Sequence, residues 1–321
     1  MMTLKFSNCI TVLLGTVSLI IVSCVDEFDN FTPFANPEKI SSLLNPADNT
    51  QSVTFNNDSG ITFSTDRFTT ITIPADAFDI NGSDTSVEIE FRYLEIYSKG
   101  DKIKYNVPTI SGGELIASDG VYYFEAFAGG TSLRLRSGIQ IKVETLNDNP
   151  NFKMELFYGE FIEQDRFNWI EADDDRNMTR NVRVVEAQDS TGEILIGYEF
   201  FTDSLRWINV DVFVDIPKEE KTEVCIELPE IYNNQNTTVY MVFHDYNSVV
   251  ALHADEGSSK FCEPYKATPI GANVTFVVIS KQGEEIYHFG IEEATITSNY
   301  ISDMFPQETS MSAIISALDN L

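Results

Sequence analysis

Apolar and polar side chains alternate along several short stretches of this chain, a pattern that few folds accommodate. In residues 86–93, apolar side chains occupy every second position, with Glu88, Glu90 and Arg92 between them. Successive side chains of a β-strand point to opposite faces, so this period predicts a strand with one buried and one solvated face. Phe (23) and Tyr (13) also favour pleated surfaces. We therefore predict a mostly β protein with two or three tandem β-sandwich domains and a short C-terminal helix.

Two of these stretches contain a change of phase. The apolar side chains move from odd to even positions between Tyr93 and Leu94. A β-bulge or a bend there would explain the change, since one extra residue exchanges the two faces of the strand. A second change follows Leu135, where Ser137-Gly138 precedes another alternating run that starts at Ile139. Either a three-residue loop joins these runs in one hairpin, or the second run crosses to another sheet.

The N-terminal residues have the form of an export signal. Lys5 precedes an apolar segment, about residues 10–22, that is shorter than the roughly 20 residues of a transmembrane helix. Ile21-Val22-Ser23-Cys24 resembles the lipobox of bacterial lipoproteins. That resemblance implies cleavage before Cys24 and acylation of its sulfur and nitrogen, which would anchor the chain in a bilayer. The alternatives are an uncleaved membrane anchor and a secreted soluble protein.

An acidic cluster, Val25-Asp26-Glu27-Phe28-Asp29, follows the lipobox cysteine. It resembles the export signal that directs Bacteroidota surface lipoproteins to the outer face of the outer membrane, and that resemblance implies a cell-surface location. A solvated acidic linker is the alternative. Several Pro and Asn residues up to about residue 50 indicate a tether between membrane and folded body.

The charge of the chain argues against nucleic acid as a partner. Acidic residues outnumber basic ones by 50 to 21, for a formal net charge of −29. A polyanion is repelled by phosphate and gains nothing from counterion release. Nucleic acid is therefore not a predicted partner. The predicted partners are the outer-membrane bilayer, through acyl chains on Cys24, and an unidentified protein or glycan.

Turn-forming and charged residues divide the chain into segments. Pro217-Lys218-Glu219-Glu220-Lys221 is a charged break before a further set of strand-like runs. Near the end, Met311, Ile314, Ile315 and Leu318 form one apolar helical stripe, which either docks onto the β domain or binds a partner. The predicted segments are a signal peptide (1–23), a lipidated tether (24–50), a first β-sandwich domain (51–146), a second β region that is separate from the first or packed with it (147–216), a C-terminal β domain of immunoglobulin-like size (217–301) and an amphipathic C-terminal helix (302–321).

Two of the four cysteines are left for the folded body. Cys9 leaves with the signal peptide and Cys24 would carry lipid, so Cys225 and Cys262 remain. An exported protein permits a disulfide between them, and two separate buried thiols are the alternative. A zinc site is disfavoured because no CxxC spacing or nearby histidine pair supports one.

Two kinds of modification or ion site are candidates. Glu171, Asp173, Asp174 and Asp175 offer carboxylate oxygens that would suit calcium, with a solvated loop as the alternative. Ser190 and Ser204 each follow an aspartate in a motif that resembles the O-glycosylation acceptor of exported Bacteroidota proteins. No other metal and no other cofactor is predicted.

No familiar catalytic motif occurs in the sequence. GxSxG, HExxH, P-loop and dinucleotide glycine patterns are missing, so no catalytic residue is assigned and the chain is predicted not to be an enzyme. If residues 245–248 form a hairpin loop, His244 faces Val249 and His253 faces Tyr240. That spacing disfavours a shared metal.

Longer motifs resemble Bacteroidota cell-envelope lipoproteins. The motifs are Thr72-Ile73-Pro74-Ala75-Asp76-Ala77-Phe78, residues 87–93, Gly120-Val121-Tyr122-Tyr123-Phe124-Glu125-Ala126, Leu133-Arg134-Leu135-Arg136-Ser137-Gly138, residues 205–211 and residues 239–250. The resemblance covers most of the chain after residue 24. It implies a leading domain similar to the β-sandwich module of ankyrins and netrin receptors, then an immunoglobulin-like or carboxypeptidase-regulatory-like β domain, and it supplies no catalytic residues.

Three functions fit the sequence. The first is a non-enzymatic surface lipoprotein that acts as a structural or interaction component of the outer membrane. The second is a carbohydrate-binding lipoprotein of a glycan-uptake system, with exposed Tyr122, Tyr123 or Trp169 stacking on sugar rings. Alternation predicts that at least one of the two tyrosines faces solvent. The third is an enzyme such as a glycoside hydrolase, whose carboxylates the sequence does not identify.

Overall fold

The strands of the first half of the chain form one module, which we call the first module (residues 43–216). A computed structural model describes residues 43–80, 86–163, 166–172, 182–188, 192 and 194–321. Helix α1 (Lys99–Lys104) lies between the fourth and fifth strands. The strands are β1 (Gln51–Asn56), β2 (Ile61–Ser64), β3 (Thr70–Ile73), β4 (Glu88–Ile96), β5 (Ile110–Ser111), β6 (Glu114–Ala128), β7 (Thr131–Ser132), β8 (Ile141–Leu146), β9 (Glu155–Glu163), β10 (Arg166–Glu171), β11 (Arg183–Gln188), β12 (Ile194–Thr202) and β13 (Arg206–Phe213).

These strands build a sandwich of antiparallel sheets. The order in sheet 1 is β1-β4-β6-β13-β9-β10, and in sheet 2 it is β11-β12-β8-β3-β2. The core between them includes Phe91, Tyr122 and Phe200. Since β9 to β13 enter both sheets, residues 147–216 belong to the same sandwich as residues 51–146. The predicted β-sandwich architecture is confirmed, with the first two predicted β regions packed as one body.

The middle of sheet 1 is buried on both faces. Its second face carries an apolar cluster that includes Tyr123, Trp169 and Trp207, packed with Tyr105 and Val107 from the segment after α1. Tyr122 faces the inner core and Tyr123 the second cluster, at 0% and 7% exposure. The prediction that one of these tyrosines faces solvent is therefore wrong, because a segment distant from β6 in the sequence covers the second face.

The same double burial explains the phase change in β4. Residues 90–96 pair with β6 without a register shift, so no bulge occurs between Tyr93 and Leu94. Tyr93 packs in the inner core, whereas Leu94 packs in the second cluster. The predicted bulge is wrong. The apolar side chains change parity because burial passes from one face to the other along the strand.

The second phase change is a crossing between sheets. β7 pairs with β6 in sheet 1, and β8 lies in sheet 2 between β3 and β12. Leu135 lies between them and makes an isolated bridge with Phe78. The second alternative is therefore correct: the run that begins at Ile139 crosses to the other sheet.

The second module (residues 217–321) is another sandwich. The strands are β14 (Lys221–Thr222), β15 (Val224–Glu227), β16 (Thr237–Phe243), β17 (Val249–Leu252), β18 (Lys260–Cys262), β19 (Thr268–Pro269), β20 (Asn273–Gly283), β21 (Ile286–Thr295), β22 (Tyr300–Asp303) and β23 (Gln307–Thr309). Its sheets have the orders β17-β16-β20-β21-β23 and β18-β15-β22, with β14 and β19 as a short pair, and Val239, Phe261 and Phe276 lie in its core. β15 and β22 run parallel.

The C-terminal helix, α2 (Met311–Leu318), docks onto the outer face of the larger sheet. Ser310 caps it by accepting a hydrogen bond from the Ala313 N–H (3.2 Å). Ile314 and Leu318 are buried against a cluster that includes Tyr240 of β16. The helix is shorter than the predicted segment 302–321, because β22 and β23 occupy part of it. Within the described residues, no helix is both long and apolar enough to cross a bilayer.

The loop between β16 and β17 inserts into the first module. Its Asn247 donates from Nδ2 to the Ser118 (2.6 Å) and Tyr97 (3.1 Å) carbonyls. Just beyond it, the Thr109 N–H donates to the Val249 carbonyl (2.7 Å). Because buried backbone groups of each module are satisfied by the other, the two sandwiches form one interlocked body. We call this contact region the junction.

Candidate functional site

A groove of about 750 Å³ lies beside the junction, with one wall from each module. We call it the inter-module groove. The first module contributes Asn106 and Arg166, and the second contributes Asn234, Ala251, Asp255 and Glu256 among others. Its volume lies within the roughly 300–1,000 Å³ of small-molecule sites, which occur preferentially at domain interfaces.

Asn106 is positioned by the end of α1. The helix ends at Lys104 and Tyr105 is its C-cap, after which Asn106 adopts φ = 52°, the left-handed conformation that Asn tolerates better than most residues. Its Oδ1 accepts a hydrogen bond from the hydroxyl of Tyr240 (2.9 Å), on β16 of the second module. The first wall of the groove is therefore joined to the second by a buried hydrogen bond.

Asn234 lies in a turn that its neighbours stabilise. Asn233 accepts on Oδ1 from the Gln235 N–H (2.9 Å), and Asn236 donates from Nδ2 to the Ile231 carbonyl (2.9 Å). The Oδ1 atom of Asn234 is buried and has no hydrogen-bond partner among the described residues. A buried acceptor without a partner costs about 1–3 kcal/mol, and this atom lies beneath the accessible surface of the turn.

The rim of the groove carries charges of both signs. Arg166, on edge strand β10, donates from Nη2 to the hydroxyl of Tyr265 (2.9 Å), and its guanidinium lies 5.9 Å from the centre of that ring. Asp255 and Glu256 are exposed in the turn after β17. The lining thus combines amides, one guanidinium and carboxylates, which suits a polar ligand of low net charge.

The backbone of β17 is paired at both ends of its outer edge. Val249 bonds with Thr109, and His253 exchanges two backbone hydrogen bonds of 2.8 Å with Cys262. In an antiparallel edge strand, every second residue directs its backbone amide and carbonyl away from the sheet. Between Val249 and His253, that residue is Ala251. Ala251 also lines the groove. The groove therefore has little room for an added strand, and recognition there falls mainly to side chains.

A lysine and an aspartate side chain are buried at the junction. Lys102 is fully buried, and its Nζ donates to the Tyr97 carbonyl (3.2 Å) and to Oδ1 of Asn247 (3.1 Å). Asp211 is also fully buried and accepts on Oδ2 from Asn209 (2.5 Å). Burial lowers the pKa of Lys102 to about 8 and raises the pKa of Asp211 to about 8. Neither residue lines the inter-module groove, so we assign this pair to the junction.

A smaller groove of about 320 Å³ lies on sheet 2. Phe68 lines it with 73% of its surface exposed and with φ = 65°, a left-handed conformation that is unfavourable for a bulky side chain. Leu146 and Leu195 supply apolar surface, and Glu144 supplies a carboxylate. This groove lacks the converging amides of the larger one.

Several predicted site residues lie outside the described residues. These are Cys24, Asp173, Asp174, Asp175 and Ser190. Glu171, the described member of the acidic cluster, is exposed at the end of β10. Ser204 is partly buried just before β13, and its hydroxyl donates to the Leu205 carbonyl (3.0 Å). Calcium binding and glycosylation therefore stay predictions.

The structure joins Cys225 and Cys262 in a disulfide. They face each other on β15 and β18, with Cα atoms 4.1 Å apart. Glu223 lies beside the sulfurs, and these three form the one set of converging metal-type donors among the described residues. Because the bridge leaves no thiolate in place, this set does not make a zinc site.

The histidines lie apart in separate hydrogen-bonded positions. His244 Nε2 is 2.8 Å from the Thr275 hydroxyl, and His288 Nδ1 is 2.7 Å from the Tyr232 hydroxyl. The predicted hairpin register is wrong by two residues, since Val249 pairs with Val242 and the loop spans residues 244–248. The described histidines form no shared metal site.

The aromatic residues proposed for sugar stacking are buried. Trp169 has no exposed surface, and its Nε1 donates to the Pro108 carbonyl (2.8 Å). With Tyr122 and Tyr123 also inside the molecule, the predicted aromatic platform is wrong. The groove residues were missed because Asn106, Arg166 and Asn234 are far apart in sequence, although Asn233-Asn234-Gln235-Asn236 is recognisable as a turn by composition.

No protein-family model matches the chain, and no curated protein matches it. The groove and the junction are therefore interpreted from their own chemistry.

Proposed function

We propose that the chain is a non-enzymatic, lipid-anchored protein of the cell surface, acting as a structural or interaction component of the outer membrane. The anchor would be Cys24, within Ile21-Val22-Ser23-Cys24. Two or more acyl chains hold a protein stably in a bilayer, whereas one is marginal.

The observation that supports this role is the junction. A surface component that carries a partner needs modules that keep a fixed relative position. The Thr109 N–H donates to the Val249 carbonyl, the Val249 N–H donates to the Thr109 hydroxyl, and Asn247 donates to two carbonyls of the first module. Such a body suits the presentation of a binding surface at the end of a tether.

Metabolic labelling tests the anchor. Cells that produce the wild-type chain, Cys24→Ala or Cys9→Ala would be grown with radiolabelled palmitate, and the protein would be recovered from membrane and soluble fractions. We expect label in wild type and in Cys9→Ala, the matched control inside the signal peptide. Cys24→Ala should be unlabelled and should leave the outer-membrane fraction.

An unlabelled wild-type protein, or a Cys24→Ala protein that labels and fractionates as wild type does, would contradict the proposal. Protease treatment of intact cells tests the outward orientation. We expect the anchored protein to be degraded, and replacement of Asp26, Glu27 and Asp29 by their amides to protect it. Protection of the wild type would place the protein on the inner face instead.

A further inference from the structure

We propose that strand β1 pairs with β1 of a second copy of this chain and joins two molecules into a symmetric dimer. This goes beyond anchoring, since it assigns a partner to the folded body whether or not Cys24 carries lipid. β1 is an edge strand of sheet 1, and its pairing with β4 runs along the whole strand without a register shift. An edge of this kind presents a row of backbone groups to a further strand.

The backbone of β1 has one side turned away from the sheet. The Asn57 N–H donates to the Val87 carbonyl (3.0 Å), and these two residues continue the register of β1 with β4. Hydrogen-bonded residues alternate in an antiparallel pair, so Ser52, Thr54 and Asn56 direct their amides and carbonyls outward. Among the described residues, no strand pairs with this outer side of β1.

β1 lacks the features that protect edge strands from pairing. Charged side chains, prolines, bulges and short length serve that purpose in soluble proteins. β1 is six residues long and contains no charge, proline or bulge. The other strands at the edges of the described sheets have four residues or fewer, except β10 and β11. Those two carry charged side chains, namely Arg166 and Glu171 on β10 and Arg183 and Glu186 on β11.

The absence of charge on β1 favours a second copy over a charged segment. The chain carries −29 and attracts cations at long range, but β1 offers no carboxylate with which a cationic segment could pair. Repulsion between two copies is screened beyond about 8 Å at physiological ionic strength. On the neighbouring strand β4, Arg92 donates to Glu90 (2.8 Å), so these two charges offset each other.

A two-fold axis at Thr54 gives a consistent register. Antiparallel pairing centred there places Thr54 opposite the partner's Thr54, and Ser52 opposite the partner's Asn56. The two threonines then exchange amide-to-carbonyl hydrogen bonds. The Asn56 carbonyl already accepts from the Ser59 N–H (3.0 Å), and its amide is left to donate to the partner's Ser52 carbonyl. The side chains of Ser52, Thr54 and Asn56 are exposed and uncharged, so they meet their counterparts without repulsion.

The inner face of β1 is held in place by the core. Phe55 is buried, and its ring lies 6.3 Å from that of Phe78. Val53 packs against the same core and is partly buried. In the register centred on Thr54, Val53 lies opposite the partner's Phe55, and aromatic and β-branched side chains form favourable cross-strand pairs. The edge is therefore both fixed in position and complementary to itself.

Charge exchange at Thr54 tests the dimer. Sedimentation equilibrium of the full-length protein in density-matched detergent measures the association of wild type, Thr54→Glu, Thr54→Lys and the control Thr131→Glu, which changes an exposed threonine on β7. We expect wild type and the control to dimerise equally, with a Kd of about 100 μM or tighter. Each Thr54 variant should dimerise at least about tenfold more weakly, since like charges meet at the axis. An equimolar mixture of the two Thr54 variants should recover the dimer.

A cross-link locates the axis. Residues opposite each other in a hydrogen-bonded pair have Cα atoms about 5.5 Å apart, which a disulfide can span. We expect oxidised Thr54→Cys to run as a covalent dimer on a non-reducing gel, whereas wild type and Thr131→Cys run as monomers.

Three results would overturn the proposal. The first is a wild type that stays monomeric. The second is a dimer that Thr54→Glu does not weaken, which would place the contact on another surface. The third is a mixture of Thr54→Glu and Thr54→Lys that fails to associate while both variants keep the wild-type circular dichroism and thermal unfolding.

Discussion

Gly100 of α1 lies directly against the carbonyl group of Leu318, the last residue of α2. A Cβ atom built on Gly100 would overlap that carbonyl. The close approach brings a helix of the first module onto the C-terminal helix of the second. Lys104, one turn further along α1, forms an ion pair with Asp319.

Substitution of Gly100 by Ala should therefore separate the two helices. We expect Gly100→Ala to lower the free energy of unfolding by about 1–3 kcal/mol, the usual cost of overpacking. Urea unfolding followed by circular dichroism measures this change. Gly290→Ala is the matched control, because a Cβ there would make ordinary contacts of 3.5 Å with Met304 and Pro306. An effect of Gly100→Ala no larger than that of the control would contradict the packing.

Asp211 should make stability depend on pH. Burial raises its pKa to about 8 from the ordinary aspartate value of 3.8, so the folded state binds more protons than the unfolded state between these values. Stability should then fall as pH rises from about 4 to 8. Chemical unfolding of wild type and Asp211→Asn at pH 5 and pH 8 measures the difference.

We expect the decrease between pH 5 and 8 to be smaller in Asp211→Asn, since the amide does not titrate. Asp58→Asn, at an exposed residue, should keep the wild-type slope. Equal slopes in wild type and Asp211→Asn would show that Asp211 ionises as readily in the folded as in the unfolded state.

Lys102 should affect stability at higher pH. Its pKa is lowered to about 8, so the free energy of unfolding should rise with pH between about 8 and 10.5.

Reduction of the disulfide should destabilise the second module. Cys225 and Cys262 are 37 residues apart, and closure of such a loop in the unfolded chain corresponds to about 3–4 kcal/mol. We expect dithiothreitol to lower the urea midpoint of the wild type, by an amount that corresponds to this loss of unfolding free energy. A chain with both cysteines replaced by Ala should match the reduced wild type and should not respond to the reductant. A response in that variant would mean that the reductant acts elsewhere.

Gly159 provides space for the aromatic residues on the second face of sheet 1. A Cβ at this position would overlap the rings of Phe167 and Trp169 and the side chain of Trp207. Gly159→Ala should displace these rings, lower the free energy of unfolding by about 1–3 kcal/mol and shift the tryptophan emission to longer wavelength. Gly290→Ala serves again as the control. Unchanged emission and stability would contradict this packing.

The sequence predicted what depends on local periodicity. Alternation identified β4, and the stripe of Ile314 and Leu318 identified the docked helix. It failed at Leu94 and Tyr123 because their burial depends on Tyr105 and Val107, which cover sheet 1 from a separate segment. The groove was out of reach for the same reason, since its walls meet only after both modules are folded.

Lys104 contacts residues near both ends of the described chain. Its carbonyl accepts from the Leu43 (2.9 Å) and Leu44 (3.0 Å) amides, and its ammonium pairs with Asp319 near the last residue. A pull on the chain before Leu43 would thus act first on α1, which lies at the junction. A fusion partner attached after Leu321 would accordingly emerge on the same side of the molecule as Leu43.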